Sequence, residues 1–432
     1  MFKPELLSPA GSLKNMRYAF AYGADAVYAG IPRYSLRVRN NEFDINSLHQ
    51  GILEAHKQNK KFYVVCNIQP HNTKIKTFIK DIEPIINMKP DALIMSDTGL
   101  IMLVKEHFPE MPIHLSVQAN AVNWATVKFW GQYGIERVIV SRELSIKELK
   151  EIREYCPDVE LEIFVHGALC MAYSGRCLLS GYMNKRDSNQ GTCTNACRWK
   201  YNVNEAKEDD NGNIVSSFDP KLDNETKIGV VTEQHRPNEP MSVHEDDHGT
   251  YIFNSKDLMA VQHIEELSKI GIHSFKIEGR TKSFYYCART AQVYRKAIDN
   301  AVHGRPFDPE NIIELEGLAN RGYTDGFLKR HSARELQNYK SGYSISQTQQ
   351  FVGEFTGNFH DNFAEVFVKN KFCVGDSLEI MTPKGNLKIM VDKIYSRNGE
   401  NINEAKGSGY KVLLPIPDNI DIQYALLIKH MA

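Results

Sequence analysis

Short apolar runs alternate with amphipathic stretches through the first 280 residues. The runs are ELLS (5–8), DAVYAG (25–30), KFYVVCNI (61–68), DALIMSD (91–97), IHLSVQAN (113–120), ERVIVSREL (136–144) and LEIFVHG (161–167). Their length and β-branched content predict strands. Between them LKNMRYAFAYG (13–23), INSLHQGILEAHKQNK (45–60), TVKFWGQYG (126–134) and SIKELKEIREYC (145–156) carry helical spacing, with Ser12 as an N-cap and Gly23 and Gly134 as stops. The pattern resumes with YIFNSKDL (251–258), a helix MAVQHIEELSKIG (259–271) and HSFKIEGR (273–280). Strand and helix in alternation build a parallel sheet, and eight or nine such units predict an α/β fold of the TIM-like barrel type rather than a doubly wound sheet.

Past the barrel the texture changes twice. FYYCARTAQVYRKAIDNAV has helix spacing, and residues 282–348 read as a helical connector. From 349 onward the runs FVGEFTG, FAEVFVK, DSLEIMT, LKIMVDKIY, GYKVLLP and YALLIKH, with Pro383 and Gly385 at turns, predict a small β-barrel of five to seven strands over 349–432. The division is then a catalytic barrel over 1–281, a connector and a β domain.

With 42% hydrophobic and 24% charged residues the chain is neither disordered nor fibrous in composition. It has no run of about 18 uncharged apolar residues, and the start MFKPELLSPAG lacks the apolar stretch and cleavage site of a signal peptide. That predicts a soluble cytoplasmic protein with no membrane contact. The net charge of −1 hides a division, because residues 204–248 hold twelve acids against four bases and the remainder is +7. The stretch 204–250 is expected to be an exposed, partly mobile acidic insertion, with NIVSSF and KIGVV flanking a hairpin turn. A moderately basic body permits a nucleic-acid partner without diagnosing one.

Four of the eight cysteines fall within 28 residues: Cys170, Cys177, Cys193 and Cys197, separated by six, fifteen and three residues. In a reducing compartment such clustering reads as metal ligation rather than disulfides. Four thiolates suit either a tetrahedral zinc or a 4Fe–4S cubane with one cysteine per iron. Only Cys193 and Cys197 have the spacing of a zinc knuckle, and the wide first interval favours a cluster at the mouth of a barrel. Cys66, Cys156, Cys287 and Cys373 lie in strand-like or helix-like surroundings and read as buried small hydrophobes.

The run Glu162-Ile163-Phe164-Val165-His166-Gly167-Ala168-Leu169-Cys170, followed by Gly175-Arg176-Cys177-Leu178-Leu179-Ser180, resembles the signature of the collagenase-like peptidase family of unassigned catalytic type. The opening ELLSPAGSLKNMRYAFAYGADAVYAG, the segment NKRDSNQGTCTNACRWKY (184–201) and the later SKDL and KIEGRTKS look similar to that family too. Within it, the length and the C-terminal β domain most resemble the branch that makes 5-hydroxyuridine at the wobble position of tRNA. The resemblance implies prephenate-dependent, oxygen-independent hydroxylation with a 4Fe–4S cluster on Cys170, Cys177, Cys193 and Cys197. The family's label leaves a peptidase as the alternative, with His166 as a conceivable partner of Cys170. No G-x-S-x-G elbow or H-E-x-x-H helix occurs, however, and a cysteine that ligates a cluster is not a free nucleophile. A zinc-containing RNA-binding scaffold is the second alternative.

TIM barrels react where their strands end, and the polar residues expected there are Ser8, Arg37, Asn67, Asp97, Gln118, Asn120, Arg142, Glu143, His166 and Lys276 through Arg280. Arg37, Arg142, Lys276 and Arg280 suit clamping a small dicarboxylate such as prephenate. Glu278 and Glu143 enter the same site, or else neutralise those bases. His166 is expected to line the mouth, with a packed or hydrogen-bonded histidine as the alternative reading. For a flipped RNA base and its phosphates the candidates are Lys185, Arg186, Arg198 and Trp199, with Tyr173, Tyr182 and Lys200; the competing reading is a solvated loop in which Trp199 covers the cluster. In the C-terminal domain Lys369, Lys371, Lys384, Lys388 and Lys393 are candidate phosphate contacts, or guards on strand edges.

Overall fold

The computed structural model describes residues 2–36, 42–169, 256–329, 348–360, 363–407, 409–417 and 420–431, and as backbone five short strands between 206 and 251. Seven parallel strands come first: β1 (Glu5–Pro9), β2 (Ala26–Gly30), β3 (Lys61–Cys66), β4 (Ala92–Met95), β5 (Ile113–Leu115), β6 (Arg137–Ile139) and β7 (Glu160–Ala168). After β8 (Asp257–Met259) the strand β9 (Ser274–Ile277) pairs in parallel with both β7 and β1 and closes a ring of eight. The strands are nearly all apolar because both faces are buried. Leu6, Val27, Val64, Leu93 and Ile163 pack outward against the helices. Leu7, Tyr28, Tyr63, Val65, Ile94 and Phe164 fill the interior.

The helices between these strands are α1 (Leu13–Ala21), α2 (Ile45–Lys57), α3 (Asn72–Ile86), α4 (Thr98–His107), α5 (Trp124–Gln132), α6 (Ile146–Tyr155) and α7 (Ile264–Ile270). Ser12 caps α1 by accepting from Asn15 N at 3.2 Å, and Gly23 and Gly134 take positive φ at the stops, as their positions predict. Helix α8 (Phe284–Val302) lies in the stretch read as a connector, yet it follows β9 and packs against α1 and α7 as the eighth helix of the outer ring. A short α9 (Glu310–Glu316) and β10 (Tyr323–Thr324) complete this part.

YIFNSKDL does not supply a ninth barrel unit. Only its end enters β8, which runs antiparallel to β7 outside the ring, Asp257 opposite Ala168 and Met259 opposite His166. Among the described residues of the acidic segment, the strands within NIVSSF and KIGVV pair with other strands and not with each other. Strand 214–216 pairs with 206–208, and strand 229–233 pairs with 236–246.

The C-terminal part is antiparallel: β11 (Gln349–His360), β12 (Phe363–Val368), β13 (Ser377–Thr382), β14 (Gly385–Met390), β15 (Ile394–Ser396), β16 (Asn401–Ile402), β17 (Lys411–Pro415) and β18 (Leu426–His430). They form one sheet in the order β14-β13-β18-β11-β12-β17-β15-β16, eight strands where five to seven are expected. Val352, Val366, Leu378, Ile394, Val412 and Leu427, from strands across the whole sheet, share one core, so the sheet rolls over on itself. It is docked firmly on α1 and α8. Tyr285 stacks on Phe351 at 5.1 Å, the Tyr22 hydroxyl donates toward the carbonyls of Met381 and Tyr424, and buried Arg289 meets Glu379 at 2.6 Å. No helix among the described residues is long and apolar enough to cross a membrane.

Candidate active site at the barrel mouth

The eight parallel strands end on one rim, and small polar side chains line it: Ser8, Asn67, Ser96, Ser116 and Ser141, all buried. Asn67 organises three strands, accepting from Leu36 N at 3.1 Å and donating to Ser116 Oγ at 3.3 Å, while its carbonyl takes the Ser96 hydroxyl at 3.1 Å. Inside the rim lies an aromatic floor of Tyr28 and Phe164. The Arg142 guanidinium sits 3.8 Å above the Phe164 ring and reaches Glu278 Oε2 at 3.3 Å. Arg280 donates to the Leu36 carbonyl at 2.6 Å and stands 5.9 Å from the centre of the Tyr28 ring. Gly30 is required beneath it, since a Cβ there would come within 2.2 Å of an Arg280 nitrogen and 2.3 Å of Ser35 Oγ.

Three charges therefore converge over one phenol. Burial raises the pKa of Tyr28 well above its ordinary value, with Glu278 adding to the rise while Arg280 and Arg142 oppose it. Just below, Lys276 Nζ lies 4.4 Å from the Tyr28 ring centre and 2.7 Å from Glu162 Oε1. Burial lowers the pKa of Lys276, and Glu162 pulls against that shift. Glu162 also meets Arg137 at 3.3 Å, and Arg137 in turn meets Glu5 at 2.6 Å and Glu160 at 2.7 Å. Tyr63 donates to Glu5 at 2.7 Å. This chain of alternating charge fills the lower barrel, where each ion is compensated by neighbours rather than water.

Of the residues expected at the mouth, Arg142, Glu278, Arg280 and Lys276 are brought together. His166 is not. A β-bulge between β7 and β9 shifts the register after Phe164, whose partner is Lys276, so that His166 falls opposite Ile277 and turns outward. Gly167, at φ +104°, carries the bend, and a Cβ there would strike the Glu278 carbonyl at 2.6 Å. The His166 ring is buried among Tyr286, Tyr294 and Tyr323, with Nδ1 3.3 Å from the Tyr294 hydroxyl. Burial drives its pKa down to about 3, which makes it a packed neutral imidazole rather than a general base. Asp97 also has another task, capping α4 by accepting from Leu100 N at 2.9 Å. Glu143 hydrogen-bonds Ser141 at the rim.

Arg37, the four clustered cysteines, and Lys185, Arg186, Arg198 and Trp199 lie outside the described residues. The attachment of their segment is nevertheless defined. The chain leaves β7 at Leu169, which packs with the barrel interior beside Leu258, and it returns at Lys256 so that Asp257 pairs with Ala168. Both ends of the cysteine-bearing segment are rooted on the rim. Cys66, Cys156 and Cys287 are buried free thiols and Cys373 is half-buried; burial pushes Cys287 up to about 12. Among the described residues no group of three or more His, Cys, Asp or Glu is arranged to hold a metal. Sequence reasoning missed the aromatic floor and Glu162. Period-two alternation along β7, which sends Glu162 and Phe164 inward, is the signal that finds both.

Sequence comparison agrees with this architecture. The profile of peptidase family U32 matches residues 11–338, and that of the peptidase family U32 C-terminal domain matches 347–429. A protein of Escherichia coli called tRNA hydroxylation protein P is 65% identical over 443 residues, covering 100% of this chain and 98% of its own. One of the same name from Haemophilus influenzae is 64% identical, with 100% and 97% covered. Another from Helicobacter pylori is 39% identical, with 89% and 85% covered. The chain belongs to peptidase family U32.

Proposed function

We propose that this protein is a tRNA hydroxylase whose reaction takes place at the barrel mouth. The observation that carries the reading is the 65% identity, along the whole chain, to a relative whose name is tRNA hydroxylation protein P. The product assigned is 5-hydroxyuridine at the wobble position, formed without molecular oxygen at the expense of prephenate. Prephenate combines two carboxylates with a six-membered ring. Arg142 and Arg280 supply two guanidinium forks beside the rings of Phe164 and Tyr28, with Glu278 orienting the Arg142 fork. The buried aromatic floor lowers the local dielectric and strengthens the charge contacts above it.

The donor set fits an iron–sulfur cluster. Cys170, Cys177, Cys193 and Cys197 belong to a segment rooted at Leu169 and Lys256 on the rim, while burial holds the Cys66 and Cys287 thiols protonated and unsuited to ligation. These four cysteines would hold a 4Fe–4S cluster, which when bound supplies one-electron chemistry. A peptidase finds no comparable support, since the imidazole nearest Cys170 in sequence is the buried, outward His166.

The test is nucleoside analysis of tRNA from cells lacking the gene. Loss of 5-hydroxyuridine, restored by the wild-type gene, is expected. Unchanged 5-hydroxyuridine in the deletion overturns the proposal.

A further inference from the structure

The inner residues of β12 and β17, Ala364, Val366, Val368, Val412 and Leu414, form the core of the C-terminal domain. Alternation therefore puts Phe363, Glu365 and Phe367 on the outer face. Lys411 lies opposite Phe367, Leu413 opposite Glu365, and Tyr395 opposite Leu413. The Phe363 and Tyr395 rings are 4.8 Å apart, and Lys369 Nζ stands 4.2 Å over the ring of Phe367. Glu365 is wholly buried under this layer. Burial works to raise its pKa, but Lys411, Thr356 and Asn358 outweigh that and bring it to about 2. It holds Lys411 at 3.0 Å and Arg397 at 3.3 Å, with His360 at 3.9 Å. One buried acid on the outer face thus anchors several bases among aromatics, and the Arg397 side chain remains 62% exposed.

The stripe also has a direction. At its near end Lys369 is 5.9 Å from the ring of Phe284, the first residue of α8, which Lys14 of α1 covers at 3.9 Å. Helix α8 begins directly after the loop that carries Glu278 and Arg280 at the mouth. From Lys369 to Phe363 the face extends roughly 20 Å along β12. Ion pairing does not set this face apart: Lys369 meets Glu354 at 3.5 Å, as Lys371 meets Glu404 and Lys384 meets Asp421, and what distinguishes the face is that its cations stand among aromatic rings.

We propose that this outer face, from Lys369 and Phe367 through Tyr395 and Lys411 to Phe363 and Arg397, is a platform for unpaired nucleotides of the RNA whose base enters the barrel mouth. Aromatic rings on a sheet accept base stacking regardless of sequence, and the surrounding cations neutralise phosphates. An apolar protein partner is a poorer fit, because the aliphatic Leu413 is buried beneath the charged layer. The inference rests on the tRNA reading above.

The experiment measures binding of a labelled, unmodified tRNA transcript to the full-length protein at several salt concentrations. Arg397→Glu should weaken binding roughly tenfold and reduce the slope of log affinity against log salt by about one, while Phe363→Ala weakens binding with the slope unchanged. Lys384→Glu, in the turn between β13 and β14 and outside this face, should bind with an affinity within about twofold of the parent. Where reversal beside Glu365 lowers Tm, Arg397→Gln removes the charge at similar length and should show the same salt signature. Wild-type affinity in both Arg397→Gln and Phe363→Ala overturns the platform. Absence of tRNA binding by the wild-type protein overturns instead the tRNA reading on which it rests.

Discussion

Arg142 Nη2 stands 3.3 Å from Glu278 Oε2, joining the end of β6 to the end of β9 across the barrel mouth. The two side chains are largely buried and rest on an aromatic ring, so the pair is held in one geometry before any ligand arrives. If the guanidinium clamps a carboxylate of the co-substrate, Arg142→Met should lower 5-hydroxyuridine formation by roughly 10- to 100-fold, the equivalent of one charge-assisted contact. Arg142→Lys should recover only part of that, since a point charge does not reproduce the fork. Full modification of tRNA by Arg142→Met would remove this residue from the site.

The buried His166 gives the protein a defined weakness in acid. Its folded pKa, about 3, lies below the ordinary value of 6.5, so the unfolded chain binds a proton that the folded chain refuses. Stability from this group is complete above pH 6.5 and declines as pH falls toward 3, by up to about 1.4 kcal/mol per pH unit. His114, buried beside Tyr63 with its pKa well below normal, acts in the same direction. His166→Gln should flatten urea-midpoint stability between pH 6.5 and 4 while tRNA modification persists at pH 7. A variant with the parent's pH slope and no activity would return His166 to the chemistry.

His166 also marks where the sequence stops being readable. All eight barrel strands are legible because each is a short apolar run, continuous since both faces are buried. Along β7 the period-two rule holds through Glu162 and Phe164 and fails at the next step, where the bulge turns His166 outward. A bulge leaves little mark in sequence beyond a glycine such as Gly167. Glu5 and Arg137 are equally hidden. They are 132 residues apart along the chain and meet at 2.6 Å only because β1 and β6 belong to one closed barrel. Helix α8 is legible as a helix, but its place in the ring is decided by α1 and α7, which its own periodicity does not name.

Arg289 on α8 is fully buried and held by Glu379 of the β domain at 2.6 Å, with Glu314 at 3.4 Å. Glu379→Ala strands that guanidinium without its nearest counter-charge and should cost about 3–5 kcal/mol. Because the pair spans both halves of the molecule, the wild-type protein should unfold in a single transition whether followed by the fluorescence of Trp124 and Trp130 in the barrel or by amide hydrogen exchange in the β domain. Glu379→Ala should move that transition to lower urea or split it in two. An unshifted single transition would mean the halves are coupled by Tyr285, Phe351 and their neighbours instead.

The cysteines divide into two groups with opposite expectations. Cys66 and Cys287 are enclosed in the core, their thiols raised by burial, and Ala in either place removes a sulfur from a packed interior; stability should fall by roughly 1 kcal/mol with iron content unchanged. Cys170, Cys177, Cys193 and Cys197 each supply one thiolate if a 4Fe–4S cluster is bound, and a missing ligand opens the cluster to solvent. Protein prepared without oxygen should therefore be brown, with iron and sulfide in equal amounts, and each of these four changed to Ala should lose colour, iron and tRNA modification together. One colourless zinc per chain would replace the cluster with a structural metal. Full iron retention in Cys197→Ala alone would assign the fourth position to another side chain of the same segment, since His166 faces away from the mouth and is enclosed by three tyrosines.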